Sequence, residues 1–171
     1  MQLGIVRRID ELGRIVIPKE MRRSMRLEVG DEMEIFSDGE MLSLKRASGL
    51  SGNIKGIKTL TLALAKNTDA DVIVSDLNYV LVCEGKNKKR YSGGRMSDAL
   101  CEIVRARKAQ VLHGDELKNA INCECCYLVL EPIFVGGDLV GSIMLMLDCL
   151  PSDIARAYLN FCATLIGSTL G

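Results

Sequence analysis

Arginine is the residue type with the clearest chemical use in this sequence. Residues 4–26, GIVRRIDELGRIVIPKEMRRSMR, contain seven basic and three acidic side chains, although the formal net charge of the whole chain is zero. A local basic cluster on a neutral protein indicates a docking surface for a polyanion. The alternative is a solvated face on which the arginines form incidental ion pairs with Asp10, Glu11 and Glu20.

Cysteine is the second residue type that could do chemistry, and the chain contains seven. An odd count without an export signal favours reduced thiols over a disulfide framework. The densest cluster is Cys123-Glu124-Cys125-Cys126, but His113 is the one histidine and no second CxxC pair exists to complete a metal site. We therefore expect these thiols to act as small buried apolar groups, with a zinc site and a redox-active thiol as the alternatives, and we predict no metal.

The elements that must position the arginines are short. The pattern predicts two strands around a turn at Gly13, a break at Pro18 and a helix of about two turns. A hairpin with Asp38-Gly39 at its turn follows. The predicted ranges are 5–9 and 14–17 for the first two strands, 19–25 for the helix, and 33–36 and 41–45 for the hairpin.

The segment GIVRRIDELGRIVIPKEMRR, together with the LEVGDEMEIF that follows it, resembles the signature of AbrB-type transition-state regulators. The resemblance implies a swapped-hairpin β dimer that binds double-stranded DNA through arginines of this segment. It implies DNA contacts at Arg7, Arg8, Arg14, Arg22 and Arg23. Size points the same way, because a unit of under 50 residues with four short strands buries too little surface to be stable alone.

The composition changes after this segment. We predict an N-terminal domain at 1–46, a linker at 47–53 that is rich in glycine and serine, and a second domain at 54–171. From residue 51 onward, 13 basic and 13 acidic residues are scattered, so this part has no electrostatic preference for nucleic acid. No apolar run approaches the length of a membrane span, so we expect a cytoplasmic, nucleoid-associated protein.

The second domain is predicted to be α+β. Its pattern predicts a helix, two strands, a helix, two strands and a final helix, with mostly antiparallel hairpins. The predicted ranges are 54–67, 71–75, 79–83, 98–108, 126–134 and 139–147, followed by a helix that begins after Pro151.

The phrase EPIFVGGDLVGSIML in this second domain resembles the two central strands of GAF domains. The resemblance implies a pocket for a small ligand, and Tyr79, Tyr91 and Arg95 are the residues that could line it. No cyclic-nucleotide signature is present. The basic run Lys86–Arg90 is interpreted as a solvated loop, with contact to an anionic ligand or to DNA flanks as the alternative. An AbrB-like domain followed by a GAF-like domain resembles a transcription regulator of spore-forming bacteria.

The last helix carries a wide apolar stripe. Ile154, Tyr158, Phe161 and Leu165 follow one another at helical spacing, and Ala155, Leu159, Cys162 and Ile166 widen the stripe. Packing on the protein's own sheet is one explanation. The hypothesis that we carry forward is a helical bundle with a second chain, formed by this helix and residues 54–67, that joins two N-terminal dimers into a homotetramer.

These observations predict a sequence-tolerant DNA-binding transcription regulator with a sensor domain, and not an enzyme. We expect no catalytic residues and no cofactor, since the sequence has no Gly-rich phosphate loop, no HExxH motif and no nucleophile elbow. Two alternatives are a thiol enzyme similar to GAF-type free methionine sulfoxide reductases, and an antitoxin, because AbrB-like N-termini also occur in antitoxins.

Overall fold

The computed structural model describes residues 5–25, 27, 29, 31, 33–47 and 49–170. The chain forms two compact units, Met1–Ala47 and Ser48–Gly171. The two units are described separately below.

The first unit contains one helix and one hairpin within its described residues. Helix α1 (Lys19–Ser24) begins directly after Pro18, which cannot continue a strand. Strands β1 (Met33–Asp38) and β2 (Met41–Arg46) form an antiparallel hairpin in which Asp38 pairs with Met41. Gly39 has a φ of +58° at the turn, so the predicted Asp-Gly turn is confirmed.

The two strands predicted at 5–9 and 14–17 are not formed in this single chain. The turn between them is present, because the N–H of Gly13 donates to the carbonyl of Asp10 at 2.9 Å and the N–H of Asp10 donates to the carbonyl of Arg14 at 3.0 Å. Gly13 takes a φ of +75°, as a turn of this kind requires. A strand is defined by its pairing with a neighbouring backbone, and these β-rich runs do not acquire that pairing from the described residues of their own chain.

The second unit is built on a five-stranded sheet with all neighbours antiparallel, in the order β4-β3-β7-β6-β5. Its elements are α2 (Ile54–Thr68), β3 (Asp71–Ser75), β4 (Val80–Glu84), α3 (Lys88–Tyr91), α4 (Asp98–Arg105), β5 (Gln110–His113), α5 (Gly114–Ala120), β6 (Tyr127–Val135), β7 (Asp138–Leu147) and α6 (Asp153–Ser168).

Successive side chains along each strand point to opposite faces of the sheet, and both faces are apolar. Val72 and Val74 of β3 belong to one core, which α2 and α6 cover. Ile73, between them, belongs to the other core, which α4 and α5 cover together with the segment around Met96. The unit is therefore a three-layer α+β domain, and the predicted fold class is confirmed.

Three local predictions differ from the structure. No element is predicted for 109–125, yet this region contains β5 and α5, and the helix predicted at 98–108 ends at Arg105. The predicted loop at 86–94 contains the short helix α3. The predicted linker also contributes to the second unit: Leu50 is fully buried in its core, and Ser51–Asn53 forms a 3-10 turn that leads into α2. In the described part of the chain, no helix is long and apolar enough to cross a lipid bilayer.

Candidate nucleic-acid surface and ligand cavity

The arginine cluster, defined here as Arg7, Arg8, Arg14, Arg22 and Arg23, lies on the first unit. All five residues are exposed. Arg14 is held by the turn that precedes it. Arg22 and Arg23 are adjacent residues of α1 and are the basic residues of its last turn. Arg7 donates to the carbonyl of its neighbour Val6 at 3.1 Å, a contact that uses one of the five N–H donors of its guanidinium group.

Asp10 orders the turn that carries Arg14. One carboxylate oxygen accepts from the backbone N–H groups of Leu12 at 3.0 Å and Arg14 at 2.8 Å, and the other accepts from Nε of Arg14 at 2.8 Å. These donors, with the backbone N–H of Arg14 first and its side chain second, lower the pKa of Asp10. The guanidinium is thereby oriented through Nε while its outer nitrogens stay exposed.

Arg8, Arg22 and Arg23 form no ion pair with another described residue of the chain. Exposed cations that are not neutralised by nearby carboxylates keep their full charge for a polyanion. The predicted incidental pairing is therefore seen for Arg14 and Asp10 among the described residues, and this pair is solvated.

A cavity of about 710 Å³ lies in the second unit, between the sheet and the segments that cover its α4 face. Its floor is apolar, formed by Ile73, Val80, Leu100 and Met144. Its rim is polar. The rim side chains include Arg90, Tyr91, Arg95, Asp98, Lys118, Asn119 and Asn122.

Cations outnumber acids on this rim, three to one, with Arg90, Arg95 and Lys118 against Asp98. Each cation also approaches a carboxylate: Arg90 lies 3.8 Å from Glu124, Arg95 lies 3.4 Å from Asp98, and Lys118 lies 3.7 Å from Asp115. Such exposed pairs contribute little free energy, so these cations can turn toward a ligand at small cost.

Two of the three predicted ligand residues line this cavity. Tyr91 and Arg95 do so, while Tyr79 is 3% exposed and pairs with Arg95 through the backbone as an isolated bridge. The hydroxyl of Tyr91 donates to the carbonyl of Asn122 at 3.3 Å, and burial raises the pKa of this hydroxyl. Arg90 stacks over the Tyr91 ring with Cζ 5.6 Å from the centroid.

The sequence reasoning missed the contribution of α5 and of the residues that follow it. Lys118, Asn119 and Asn122 reach the rim from this region. A signal was present: Leu117 and Ala120, three residues apart, are the two buried positions of α5. A helix of seven residues with two buried positions is too short for apolar periodicity to stand out.

Burial differs among the seven cysteines of the second unit, and the expectation of buried thiols is wrong for Cys126, which is exposed. Cys83, Cys101 and Cys162 are buried, and burial is the first cause that raises the pKa of each thiol, for Cys83 to about 12. Burial also raises the pKa of Cys125 to about 12, with a contribution from its hydrogen bond to Cys123. Within the described residues, no group of three or more metal-ligating side chains could hold a metal ion.

Comparison with protein families gives a match for each part of the chain. Residues 57–164 match the family described as "Stage V sporulation protein T C-terminal, transcription factor". Residues 6–46 match "Antidote-toxin recognition MazE, bacterial antitoxin". The chain is also 36% identical over 148 residues to stage V sporulation protein T of Bacillus subtilis strain 168, covering 83% of this chain and 82% of that relative. The chain belongs to the stage V sporulation protein T family.

Two further relatives from Bacillus subtilis strain 168 match this family member over a shorter region. The transition state regulatory protein AbrB is 51% identical over 43 residues, which is 25% of this chain and 45% of AbrB. The putative transition state regulator Abh is 48% identical over 44 residues, which is 26% of this chain and 48% of Abh. The protein is thus a transcription regulator of the transition-state type, with an AbrB-like first domain.

Solved structures identify the fold of the rest of this stage V sporulation protein T relative. The cofactor-binding GAF domain of the nutrient sensor CodY from Clostridium difficile superposes with a TM-score of 0.54 at 18% identity, covering 67% of this chain and 83% of that domain. A type II free methionine-R-sulfoxide reductase from Thermoplasma acidophilum gives 0.58 at 12% identity, covering 71% and 94%. At these identities the likeness shows a GAF-like fold and no specific activity.

Proposed function

We propose that this protein regulates transcription by binding duplex DNA through Arg7, Arg8, Arg14, Arg22 and Arg23. The first units pair as a swapped-hairpin dimer, the second units join two dimers into a tetramer, and the cavity of the second unit takes a small polar effector. The observation that carries the proposal is the exposed arginine cluster on the AbrB-like part of a stage V sporulation protein T relative.

The arginine cluster suits a phosphate backbone. An arginine fork can donate two parallel hydrogen bonds to one phosphate, and contacts of this kind fix the orientation of a protein on DNA without reading its sequence. No helix-turn-helix is found among the described residues of the first unit, whose one described helix is six residues long. Binding therefore depends on phosphates and duplex shape more than on base edges.

Dimerisation of the first unit is supported by its apolar surface. Val6, Leu12 and Val16 are 88%, 75% and 75% exposed in the single chain. Clustered apolar exposure of this extent marks an interaction surface. In a dimer, the backbone of the second copy would pair with residues 5–9 and 14–17 as strands. Their apolar side chains would then be buried together.

Tetramer formation is supported by the two-sided character of α6. Leu159, Cys162 and Ile166 pack into the core under the helix. These three residues belong to the wider part of the predicted stripe, whereas its narrow part lies on a separate face and is exposed, at 68% for Ile154, 59% for Tyr158 and 61% for Phe161. Because the sheet already occupies one apolar face, the other is free to pair with a second chain.

Effector binding is supported by the chemistry of the cavity. An apolar floor under a rim of cations and amides is typical of sites for small molecules that carry both an apolar body and a polar head. Tyr91 adds an aromatic face beside Arg90 and Arg95. The titratable groups that face the cavity are all on its open rim.

Fluorescence anisotropy with a labelled duplex tests the DNA-binding part. We expect Arg14→Ala to weaken binding by about 1–3 kcal/mol if its side chain reads a base, and by less if it contacts phosphate alone. Arg23→Ala should make the slope of log K against log salt less negative by about two, one for each copy in a dimer, from a wild-type slope of about −7 if four of the five arginines on each chain contact phosphate.

Lys108→Ala is the matched control, because it removes an exposed cation from the second unit and should leave both the affinity and the salt slope unchanged. Unchanged affinity in both Arg14→Ala and Arg23→Ala would remove the arginine assignment.

A thiol enzyme is the second candidate, favoured by the likeness to the free methionine sulfoxide reductase. Its chemistry requires an exposed thiol that ionises near neutral pH, whereas burial raises the pKa of Cys83, Cys101, Cys125 and Cys162. Reduction of free methionine sulfoxide by the purified protein above the rate of the reductant alone would favour the enzyme.

An antitoxin is the third candidate, favoured by the match of residues 6–46 to the MazE family. Antitoxins of this kind present a flexible toxin-binding segment after the DNA-binding module. Here residues 54–168 fold instead into a compact domain around a five-stranded sheet. Continued DNA binding without any co-purifying toxin supports the regulator.

A further inference from the structure

The segment between α5 and β6 brings two thiols together. Cys123 and Cys125 are separated by one residue, and the Sγ of Cys125 lies 3.0 Å from the Sγ of Cys123, to which it donates a hydrogen bond. Both sulfurs are half-buried against the apolar core on the cavity side of the sheet. A disulfide bond is about 2.05 Å long, so the two sulfurs are roughly 1 Å from bonding distance.

We propose that Cys123 and Cys125 form a reversible oxidation site, at which a low-molecular-mass disulfide converts the two thiols into an intrachain disulfide. The distance between the sulfurs and their location beside the cavity rim carry the proposal. It does not depend on DNA binding or on the identity of an effector.

The chemistry balances as two thiol–disulfide exchanges. Cys123, which accepts the hydrogen bond, loses its proton to solvent and its sulfur attacks one sulfur of the small disulfide. The bond within that disulfide breaks, and one thiolate leaves and takes up a proton. Cys125 then loses its own proton and attacks the sulfur of Cys123 in the mixed disulfide, which releases the second small thiol. The protein loses two protons and two electrons, and the small disulfide gains both as it becomes two thiols.

The high pKa of Cys125, about 12, fits its role as the second sulfur. A thiol that keeps its proton is a poor first nucleophile, and this one points its S–H at its partner. Once Cys123 is in a mixed disulfide, the attack by Cys125 is intramolecular and benefits from a very high effective concentration.

Formation of the bond would act on the cavity rim. The carbonyl of Asn122 accepts from the hydroxyl of Tyr91 at 3.3 Å, and the carboxylate of Glu124 lies 3.8 Å from Arg90. The residues on either side of Cys123 therefore contact the two rim residues of α3. Drawing the sulfurs together moves the backbone that supplies the Asn122 carbonyl and that carries the Glu124 side chain.

The test uses the full-length chain with Cys126→Ser and Cys149→Ser. In this background the tryptic peptide 119–156 contains Cys123 and Cys125 as its remaining cysteines. The reduced, folded protein is incubated with glutathione disulfide, and free thiols are then alkylated before digestion and mass spectrometry. We expect the peptide to lose two hydrogens, to resist alkylation, and to regain both thiols with dithiothreitol.

Adding Cys123→Ser to that background should leave Cys125 as a free thiol that is alkylated after the same treatment. The urea-unfolded background protein, oxidised under the same conditions, shows that the reagent is competent. A folded protein whose peptide stays fully alkylated, or carries one glutathione without closing the bond, overturns the proposal.

Hydrogen exchange tests whether the disulfide changes the cavity rim, separately from whether the disulfide forms. We expect the exchange rate of amides in residues 88–95 to change at least twofold on oxidation in the background protein, and to stay constant when Cys123→Ser is added. A disulfide that forms without changing exchange in 88–95 would overturn the coupling to the cavity rim.

Discussion

Asp10 is the residue that gives Arg14 a defined direction. Its carboxylate satisfies two backbone N–H groups of the turn as well as the Nε of Arg14. The folded pKa of Asp10 is below the ordinary value of 3.8, so the contribution of these contacts is fully present above that value and is lost as the pH falls through the lower folded value. At neutral pH the turn is held.

Asp10 also provides a test that separates geometry from net charge. Asp10→Ala makes the first unit more positive, so simple attraction predicts tighter DNA binding. We expect weaker binding instead, by a factor of roughly 3 to 10, because the hydrogen bonds that order the turn are lost. Asp10→Asn keeps an oxygen that can accept from the backbone and should bind more tightly than Asp10→Ala. The measurement is the dissociation constant at fixed salt, and tighter binding by Asp10→Ala would contradict the geometric role.

Cys83 makes a prediction about stability and pH. Its pKa rises from an ordinary value of 9.0 to about 12 in the folded protein, first through burial and then through Asp71 and Glu84. Between these values the unfolded chain has released the thiol proton and the folded chain has not. The free energy of unfolding therefore falls as the pH rises above about 9, by at most about 1.4 kcal/mol per pH unit from this group.

Cys83→Ala removes that contribution. We expect its urea-unfolding free energy to fall less steeply between pH 9 and pH 10.5 than that of the wild type, with the exposed Cys149→Ala as the control that keeps the wild-type slope. Parallel pH dependences for Cys83→Ala and the wild type would show that the Cys83 thiol titrates normally.

At the scale of elements, α6 is held against the sheet at very short range. A Cβ at Gly167 would collide with the carbonyl oxygen of Phe134 on β6. The helix can approach β6 because this position has no side chain. On the same face Asn160 donates to the buried carboxylate of Glu131 at 3.3 Å, and burial raises the pKa of that carboxylate.

Gly167→Ala should therefore destabilise the second unit even though alanine is the better helix former. Because backbone and not a flexible side chain opposes the new methyl group, we expect a loss of about 1–3 kcal/mol in the free energy of unfolding. Gly52→Ala is the control, since its Cβ would meet Leu170 at an ordinary 3.5 Å. Urea unfolding checks both variants, and a neutral or stabilising Gly167→Ala would mean that α6 packs less closely than described.

The elements that could be predicted from the sequence are those whose signal is local. The strand Asp71–Ser75 was predicted with its observed bounds because it is a short β-branched run between turn residues. Ser97 and Ser152 mark helix starts, and each accepts from the backbone N–H three residues on. The turn at Gly13 was visible for the same reason.

What could not be predicted depends on contacts between distant segments. Lys118 and Asn122 reach the cavity rim from a region with few buried positions, so the apolar periodicity of the sequence is too weak there to predict a helix. Tyr79 was expected at the cavity from the resemblance to GAF domains and from its aromatic side chain, yet tertiary packing buries it. The runs 5–9 and 14–17 have the composition of strands. Strand formation also needs a neighbouring backbone to pair with, and the sequence does not show which backbone that is.

At the scale of the whole molecule, the apolar stripe of α6 predicts the assembly. Ile154, Tyr158, Phe161 and Leu165 are exposed on one face while the opposite side is buried in the core. We expect light scattering to give the mass of four chains for the wild type and of two chains for Phe161→Glu, because a carboxylate within an apolar helix contact is costly to bury. Leu150→Glu is the control, since it adds the same charge at a side chain that is 74% exposed outside the helix, and it should leave four chains.

DNA binding by the two-chain Phe161→Glu variant should persist with a reduced affinity for duplexes long enough to contact both dimers, because only the link between the dimers is lost. A wild type with the mass of two chains, or a Phe161→Glu variant that remains four chains, would show that this face of α6 does not join the dimers.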